Sequence, residues 1–442
     1  MRRPVLSLGN TDRLVFSLAW PNIISNLSVP LLGLADMALM GHLSSPVYIG
    51  AVALGSVIFN FIYSSLAFLR MGTTGMTAMR YGASDKAGIL AVLRTSLITA
   101  LILGFTLLLT RPLIARWGFQ LLGGSEEVSQ LARSYFNIRI LAAPAVMLHY
   151  VLQGWFIGMQ DARSPMYVML VENVLNIFFN LFFVLFMGMS SDGVALGTVL
   201  ARYTGLFFSL YFLKNKYPEF VDALIINRGR DGYVSLKAFF AVNADLFIRT
   251  LLLITVLSAF TSRSARQGEV ILAANSLLMQ FFYFFSYLTD GLAFAAESLT
   301  GRFRGGRLML RLRLTVNRIL FFGFVLALVF SVLYFAAAPS LLMLLTSQAV
   351  IRQTALAFLP YIWMVPLISF GAFLWDGIYI GATATRSLRN IMIPASALFF
   401  LLPILGGDSN HVLWIAFLGF LLFRSVGLWL AAPRAIFRFK HN

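Results

Sequence analysis

Apolar runs long enough to cross a membrane recur along the whole chain and constrain its fold more than any other feature. A membrane-spanning helix needs about 20 consecutive apolar residues, and the sequence contains twelve such runs. They lie near residues 14–40, 47–70, 87–110, 131–157, 165–187 and 193–214, and near 236–262, 270–300, 314–338, 355–380, 388–405 and 411–433. Repeated spans of this length, in lipid, predict an all-α integral membrane protein with twelve transmembrane helices.

Composition excludes most other classes of protein. Hydrophobic residues make up 59% and charged residues 12% of the 442 positions, whereas soluble domains carry about 25% charged residues. The chain has no cysteine and only four histidines, without metal-ligand spacing, so we expect no disulfide, no metal site and no cofactor. The same scarcity of reactive side chains argues against an enzyme.

The chain also repeats itself. Gly154, Ile157, Gly158, Arg163 and Ser164 return 223 residues later as Gly377, Ile380, Gly381, Arg386 and Ser387. We therefore interpret the protein as two copies of one half: an amino-terminal lobe over 1–213, a polar cytoplasmic linker over 214–235 and a carboxy-terminal lobe over 236–442. Two six-helix lobes related by duplication are typical of secondary transporters that work by alternating access.

The net charge of +17 reflects membrane orientation rather than nucleic-acid binding. Loops on one side of the predicted membrane hold 23 lysines and arginines, and those on the other side hold 6. By the positive-inside rule the richer side is cytoplasmic. We expect a multi-pass protein of the inner (plasma) membrane, with both termini in the cytoplasm.

Acidic residues inside apolar runs are the strongest candidates for function, because a carboxylate at membrane depth is costly. Asp36 lies on the first span beyond Pro21 and Pro30, in a polar stripe with Asn22 and Asn26. Two prolines make this helix bendable, so Asp36 is a candidate proton or ion carrier. The alternative is that Asp36 merely ends a span at the outer surface.

The fifth span carries a second stripe, with Glu172, Asn176 and Asn180 spaced four residues apart. Glu172 either contributes to a substrate cavity or simply pairs near Arg163 at the cytoplasmic end of the helix. Amides at the other two positions suit hydrogen bonding to a carboxylate or to water.

The second half offers further acidic residues. Asp245 and Arg249 have the spacing of an intrahelical ion pair, and we expect them to pair. Asp290 and Glu297 share a face of the eighth span. Asp376, directly before the repeated glycine motif, is either a polar hook or a helix-end residue.

At these residues the chain resembles the multidrug and toxic compound extrusion (MATE) transporters. The resemblance runs over about residues 10 to 435, through Trp20-Pro21 with Asp36, through 154–166, and most specifically through 375–382, which is closest to the DinF-like branch. It implies twelve helices in two six-helix lobes and export of organic cations or other amphiphiles in exchange for H⁺ or Na⁺.

The resemblance also implies roles for particular residues. The essential acid of the first helix falls on Asp36, and the polar cluster of the amino-terminal lobe falls on Asn176, Asn180 and Thr198. Many members have an aspartate where this chain has Asn180, and a hard cation such as Na⁺ prefers carboxylate oxygen. We therefore expect H⁺ coupling, with Na⁺ as the weaker alternative.

Other predictions concern the cavity and the repeat. Substrate-cavity candidates are Asn22, Asn26, Glu172, Arg202, Tyr283, Asp290 and Glu297; the motif residues Gly154, Arg163, Asp376, Gly377 and Arg386 are expected to be structural. The expected partners are an amphiphilic or cationic small molecule, H⁺ and the lipid bilayer, with no nucleic acid, and the chain is expected to act as a monomer. The main alternative is a flippase for a lipid-linked saccharide or other lipid of the same superfamily, which would need clustered cationic residues in the cavity.

Overall fold

The computed structural model describes residues 8–41, 46–123, 125–226 and 235–438, and the side chains in these ranges except those of residues 8, 9, 34–38, 40, 41, 46 and 226. In these ranges the chain is helical with short connections. The helices are α1 (Leu8–Gly41), α2 (Pro46–Leu66), α3 (Phe68–Gly82), α4 (Lys86–Leu109), α5 (Arg111–Leu122), α6 (Glu126–Arg139), α7 (Ala143–Gly158), α8 (Arg163–Leu181), α9 (Ser191–Lys216), α10 (Pro218–Ile226), α11 (Leu236–Arg266), α12 (Glu269–Gly305), α13 (Met309–Leu345), α14 (Ala349–Gly381), α15 (Thr385–Gly406) and α16 (Asn410–Ala435).

Twelve helical segments within the described ranges are long and apolar enough to cross a membrane, which confirms the predicted number. Two spans are built from two helices each: α2 continues into α3, and α6 continues into α7 through a 3₁₀ turn at Ile140–Ala142. Most helices extend beyond the predicted apolar runs; the ninth span covers Met309–Leu345 rather than 314–338. The polar first and last turns of a helix carry no apolar signal, so hydropathy alone underestimates its length.

The chain divides into two compact units. One, the amino-terminal unit, comprises Ile24–Phe239; the other, the carboxy-terminal unit, comprises the start of α1 up to Ile23 together with Phe240–Asn442. Helix α1 therefore contributes to both units. The lobe boundaries at 213 and 236 remain a prediction.

Each unit has its own apolar core. In the carboxy-terminal unit, Phe260 packs edge-on against Trp414 with ring centroids 5.0 Å apart, and Phe282 packs against Phe417 at 5.2 Å. In the amino-terminal unit, one buried cluster surrounds Trp155 and another includes Phe59, Tyr135 and Phe136. Aromatic pairs in this geometry add about 0.5–1.5 kcal/mol each to the burial of their surface.

The repeated glycine motif explains how two helices in each unit come together. A Cβ atom on Gly158 of α7 would lie 2.9 Å from the carbonyl oxygen of Thr74 on α3, and one on Gly381 of α14 would lie 2.8 Å from the carbonyl carbon of Glu297 on α12. Only a glycine permits backbones to approach this closely. Thr74 and Glu297 are themselves 223 residues apart, so the glycine crossing has the same register in both halves.

The duplication extends to the turns. The four non-glycine residues with positive φ that the structure describes are Ser84, Gln160, Arg307 and Thr383, and they form two pairs separated by 223 positions. Ser84 and Arg307 follow α3 and α12, whereas Gln160 and Thr383 follow α7 and α14. After each of the latter two, a backbone N–H donates back to a carbonyl five residues earlier, from Asp161 to Phe156 and from Ala384 to Tyr379, both at 2.9 Å. The internal duplication is thus present in the backbone as well as in the sequence.

Candidate functional site

A cavity of about 260 Å³ opens within the amino-terminal unit. Side chains and backbone from α1, α2, α6, α8 and α9 line it. Its lining includes the apolar or small residues Leu32, Gly33, Ile49, Val52, Ala53 and Ala201, and the polar residues Ser56, Tyr135, Arg139, Glu172, Asn176, Thr198 and Arg202. A mostly apolar wall with a few convergent polar groups is typical of a small-molecule site.

The predicted stripe on α8 forms one wall of the cavity region. Glu172, Asn176 and Asn180 are all buried, because two glycines of α9 leave room for them. A Cβ on Gly197 would lie 3.0 Å from the backbone nitrogen of Asn180, and one on Gly205 would lie 2.5 Å from Oε2 of Glu172. Glycine spacing on α9 therefore sets how deeply this polar stripe sits.

The structure brings together the three residues that the resemblance assigns to the polar cluster. Asn180 Nδ2 donates to Asn176 Oδ1 at 3.2 Å, Asn176 Nδ2 donates to Thr198 Oγ1 at 3.2 Å, and Thr198 Oγ1 donates to the carbonyl of Val194 at 2.9 Å. The result is a chain of neutral hydrogen bonds from α8 to α9. Their role in coupling stays a prediction.

Glu172 pairs across the helix interface. Its Oε1 accepts from Arg202 on α9, while Oε2 lies 3.8 Å from Nδ1 of His149 on α7. The partner of Glu172 is therefore Arg202 and not Arg163, which is exposed at the start of α8. Arg202 also lines the cavity, and its role toward a substrate stays a prediction.

A second arginine lines the same cavity. Arg139 donates to the hydroxyl of Tyr135 at 2.5 Å and to Ser56 at 3.1 Å, and its guanidinium lies 4.8 Å from the centre of the Phe59 ring. No carboxylate pairs with it among the described residues. The charged side chains that line the cavity in the described part of the chain are thus two guanidinium groups and one carboxylate.

Helix α1 reaches the cavity through Leu32 and Gly33. Ser28 on α1 accepts from Asn173 Nδ2 on α8 at 2.7 Å, which ties the two helices together. Asn22 is buried, but it belongs to the carboxy-terminal unit and donates to the carbonyl of Leu18 on its own helix, whereas Asn26 belongs to the amino-terminal unit. The side chain of Asp36 lies outside the part of the chain that the structure describes.

One prediction for the carboxy-terminal unit is wrong. Asp245 and Arg249 do not pair with each other. Asp245 accepts from Arg389 at 2.6 Å and from Thr385 at 3.0 Å, both on α15, and Arg249 pairs with Asp376 on α14. Spacing along one helix allows an internal pair, but α11 is packed against other helices that offer each charge a nearer partner.

Asp376 lies in the interior of α14, five residues before its end, so it is not a helix-end residue. Its Oδ2 accepts from two buried arginines, Arg249 on α11 and Arg424 on α16, the latter at 2.5 Å. Arg424 is only 1% exposed. This buried triad connects three helices, which is the polar hook anticipated for Asp376.

The partner arginine of Asp376 was not predicted, although the sequence carries a signal for it. Arg424 stands 222 positions after Arg202, and each is followed three residues later by a glycine, Gly427 and Gly205. In each unit, this arginine of the last membrane helix pairs with a carboxylate. His149 was also missed, because nothing in a single sequence indicates that a lone histidine in an apolar run faces a glutamate.

The other predicted residues of the carboxy-terminal unit lie along α12. Glu297 is buried and Asp290 is half-buried. Tyr283 lines a separate, smaller cavity of about 120 Å³ beside Ser264 and Asn275. The three positions are spread over four turns of the helix, so the described contacts do not gather them into one site.

Gly154 and Gly377 sit at the close helix crossings, but Arg163 and Arg386 are exposed at the starts of α8 and α15. The contacts that hold the first of these junctions come from Asp161, which accepts from Ser164 Oγ at 2.6 Å and from Lys216 at 3.0 Å. Burial and the neighbouring Asp161 carboxylate raise the pKa of Tyr217 at the same junction. The structural role of the two arginines stays a prediction.

Comparisons with known proteins agree with this architecture. The family model described as MatE matches residues 21–182 and 246–403. The chain is 38% identical to DNA damage-inducible protein F of Escherichia coli (strain K12), over 96% of this chain and 92% of that protein. It is 23% identical to the probable multidrug resistance protein NorM of Photorhabdus laumondii subsp. laumondii, over 75% of this chain and 73% of that protein.

A solved structure of a MATE protein in the bent conformation has the same fold, with a TM-score of 0.88 at 23% identity, covering 97% of this chain and 96% of that one. The matched ranges of the family model fall on the two halves that the internal repeat defines. The chain belongs to the MatE family and is therefore a multi-pass membrane transporter of the MATE type rather than an enzyme.

Proposed function

We propose that this transporter exports amphiphilic small molecules, organic cations among them, in exchange for protons by alternating access. The observation that carries the proposal is the cavity of the amino-terminal unit, whose apolar wall surrounds a neutral amide and hydroxyl cluster and one ion pair. Such a wall accommodates many shapes of apolar molecule, and Tyr135 adds an aromatic surface to it. Its volume of about 260 Å³ suits a small ligand.

Asp36 is the proposed coupling acid. Leu32 and Gly33 line the cavity, and Asp36 follows Gly33 by three positions in the sequence. A carboxylate removed from water binds a proton more readily than one in water. Protonation would remove a charge that is costly away from water and would allow α1, with its two prolines, to bend.

Proton coupling is favoured over Na⁺ coupling by the chemistry of the cluster. Asn176, Asn180 and Thr198 supply neutral oxygens, and the one carboxylate that lines the cavity among described residues, Glu172, is held by Arg202. Sodium, as a hard cation, binds best where free carboxylate oxygens contribute to the site. A single acid among amides suits a proton better.

The energetics are consistent with a one-for-one exchange. A monovalent cation that leaves a negative interior climbs about 2.3 kcal/mol per 100 mV. Exchange for one proton cancels the electrical term and leaves the pH difference, about 1.36 kcal/mol per unit, to drive export. One coupling acid is therefore sufficient.

A lipid-linked saccharide flippase is the alternative, and Arg139 and Arg202 are the observation that favours it, because a pyrophosphate head group needs cationic partners. Both guanidinium groups are already engaged, however, Arg202 with Glu172 and Arg139 with Tyr135 and Ser56. The cavity volume of about 260 Å³ is also small for a pyrophosphate with its sugars. Export of a smaller amphiphile accounts better for both facts.

Orientation and assembly belong to the same proposal. The excess of lysine and arginine in one set of loops favours cytoplasmic termini in the inner membrane. Because the described cavity is lined by residues of a single unit, we expect the monomer to be the working form.

The proposal is tested by transport of ethidium into or out of liposomes that contain the purified protein. We expect an imposed pH gradient to drive transport and an imposed Na⁺ gradient to leave it unchanged. Transport driven by Na⁺ alone would contradict the coupling ion, and gradient-independent movement of a fluorescent lipid-linked pyrophosphate sugar, without ethidium transport, would favour the flippase.

A further inference from the structure

Beside the ion pair between Glu172 and Arg202, two buried polar atoms of His149 and Glu172 face each other without forming a hydrogen bond. His149 Nδ1 and Glu172 Oε2 lie 3.8 Å apart, and neither has a hydrogen-bond partner. His149 is 5% exposed and Glu172 4% exposed. Buried polar atoms are nearly always paired in folded proteins, so two that point at each other indicate that something binds between them.

A proton bound between the two atoms would supply the missing hydrogen bond. With a hydrogen on Nδ1, His149 would donate a charge-assisted bond to Oε2 after the two atoms approach by less than 1 Å, within the usual range for such pairs. Among the described residues, the charged groups that act on His149 are Glu172 from α8 and Arg202 from α9, and Arg70 from α3 acts on the adjacent Tyr150. Tyr63 on α2 approaches the same turn, because its carbonyl accepts from the Tyr150 hydroxyl.

We propose that His149 and Glu172 form a second proton-binding site, separate from Asp36, and that its occupation controls Arg202. In the structure Arg202 neutralises Glu172, and the three residues carry no net charge when His149 is neutral. When His149 binds a proton, its imidazolium becomes the partner of Glu172, and Arg202 is released toward the cavity that it lines. The group then carries a net charge of +1 inside a low-dielectric region.

The sign of this change fits proton-driven export of a cation, and in this respect the inference rests on the proposed function. With His149 neutral, Arg202 is held by Glu172 and repels a cationic group less than a free guanidinium would. With His149 protonated, the free guanidinium repels the cation, so that proton binding and cation binding exclude each other. By linkage the effect is reciprocal, since removal of Arg202 must favour the proton on His149.

The proton site itself is tested without transport. The protein is prepared with ¹⁵N-labelled histidine, the His149 imidazole signal is assigned by its loss in His149→Gln, and its titration is followed from about pH 8 to about pH 5, the range in which histidine changes charge. We expect His149 to titrate in this range in the wild-type protein. Arg202→Gln should shift the titration upward by about one pH unit or more, and Glu172→Gln should shift it downward by a similar amount. All variants are checked for folding by gel filtration.

A His149 that stays neutral in both the wild-type protein and Arg202→Gln would overturn the site, as would a titration that Glu172→Gln leaves unchanged. His411, which contacts Tyr361 at 2.9 Å in the other unit, serves as the internal control, because neither variant should move its signal.

The functional consequence is tested in an Asp36→Asn background, where the proposed coupling acid is permanently neutral. Ethidium binding is measured at about pH 7.5 and about pH 5.5. We expect the affinity of Asp36→Asn to fall at least about threefold at the lower pH, and the fall to disappear in Asp36→Asn with His149→Gln. A pH-independent affinity in Asp36→Asn alone would show that His149 does not exclude cations, whatever the outcome for Asp36.

Discussion

At the residue scale, the buried ion triad of the carboxy-terminal unit constrains the choice of side chains most strongly. Asp376 pairs with both buried guanidinium groups, those of Arg249 and Arg424. Removing one partner of a buried ion pair leaves an uncompensated charge, which is far more costly than loss of a surface pair. Asp376 therefore stabilises the packing of α11, α14 and α16.

Asp376→Asn should lower the free energy of unfolding by about 3–5 kcal/mol, because two buried arginines would lose their counter-charge. Thermal unfolding in detergent measures the effect. Asp408→Asn is the matched control: Asp408 pairs with Arg263 at 3.1 Å but is 86% exposed, so its loss should change stability by less than about 1 kcal/mol. Equal stability losses in the two variants would refute the assignment.

A second residue-scale prediction concerns the coupling ion. Asn180→Asp adds an anionic ligand beside Asn176 and Thr198, and carboxylate oxygen is what Na⁺ prefers. Ethidium transport by this variant should respond to a Na⁺ gradient to which the wild-type protein is indifferent. Asn173→Asp, on the same helix but bonded to Ser28 outside the cluster, is the control and should remain insensitive to Na⁺.

At the element scale, the glycine crossings set the register of packed helices in both units. Gly158 packs α7 against α3, and Gly381 packs α14 against α12, in each case against backbone atoms that cannot move aside as a side chain can. The helices are therefore fixed relative to each other by backbone contact rather than by side-chain choice.

Gly381→Ala should destabilise the carboxy-terminal unit by about 1–3 kcal/mol, the usual cost of overpacking, and lower the yield of monodisperse protein. A Cβ at Gly419 would instead meet only the flexible ends of Leu402 and Leu398, at 3.6 and 3.8 Å. Gly419→Ala is therefore the control and should be close to neutral. Normal yield and melting temperature for Gly381→Ala would show that the crossing tolerates a wider spacing.

The helices also show which features of the fold can be predicted from the sequence and which cannot. Apolar run length predicted all twelve spans, and the echo of Gly154 in Gly377 predicted the duplication that the backbone contains. Pairing between helices was not predictable, as Asp245 and Arg249 show, because a spacing along one helix carries no information about the charges on its neighbours. Glu172 illustrates the same limit: its partner, Arg202, lies 30 positions away on another helix.

At the scale of the whole molecule, the predicted orientation can be tested directly because the chain contains no cysteine. Ser347, between α13 and α14, and Asn215, near the end of α9, are both exposed and fall on opposite predicted sides. In intact cells, a membrane-impermeant maleimide should label Ser347→Cys and should leave Asn215→Cys unlabelled until the cells are opened. The reverse pattern would invert the topology.

In the proposed mechanism, one acid on the first helix couples proton entry to export. The most direct measurement is ethidium transport by Asp36→Asn in liposomes under an imposed pH gradient, with Asp12→Asn as the control on the same helix, since Asp12 pairs with Arg318 at 3.3 Å near the other end of α1. We predict that Asp36→Asn folds and binds substrate but loses pH-driven transport, whereas Asp12→Asn transports normally. Wild-type transport by Asp36→Asn would contradict the claim and assign coupling to another acid, Asp290 or Glu297 first.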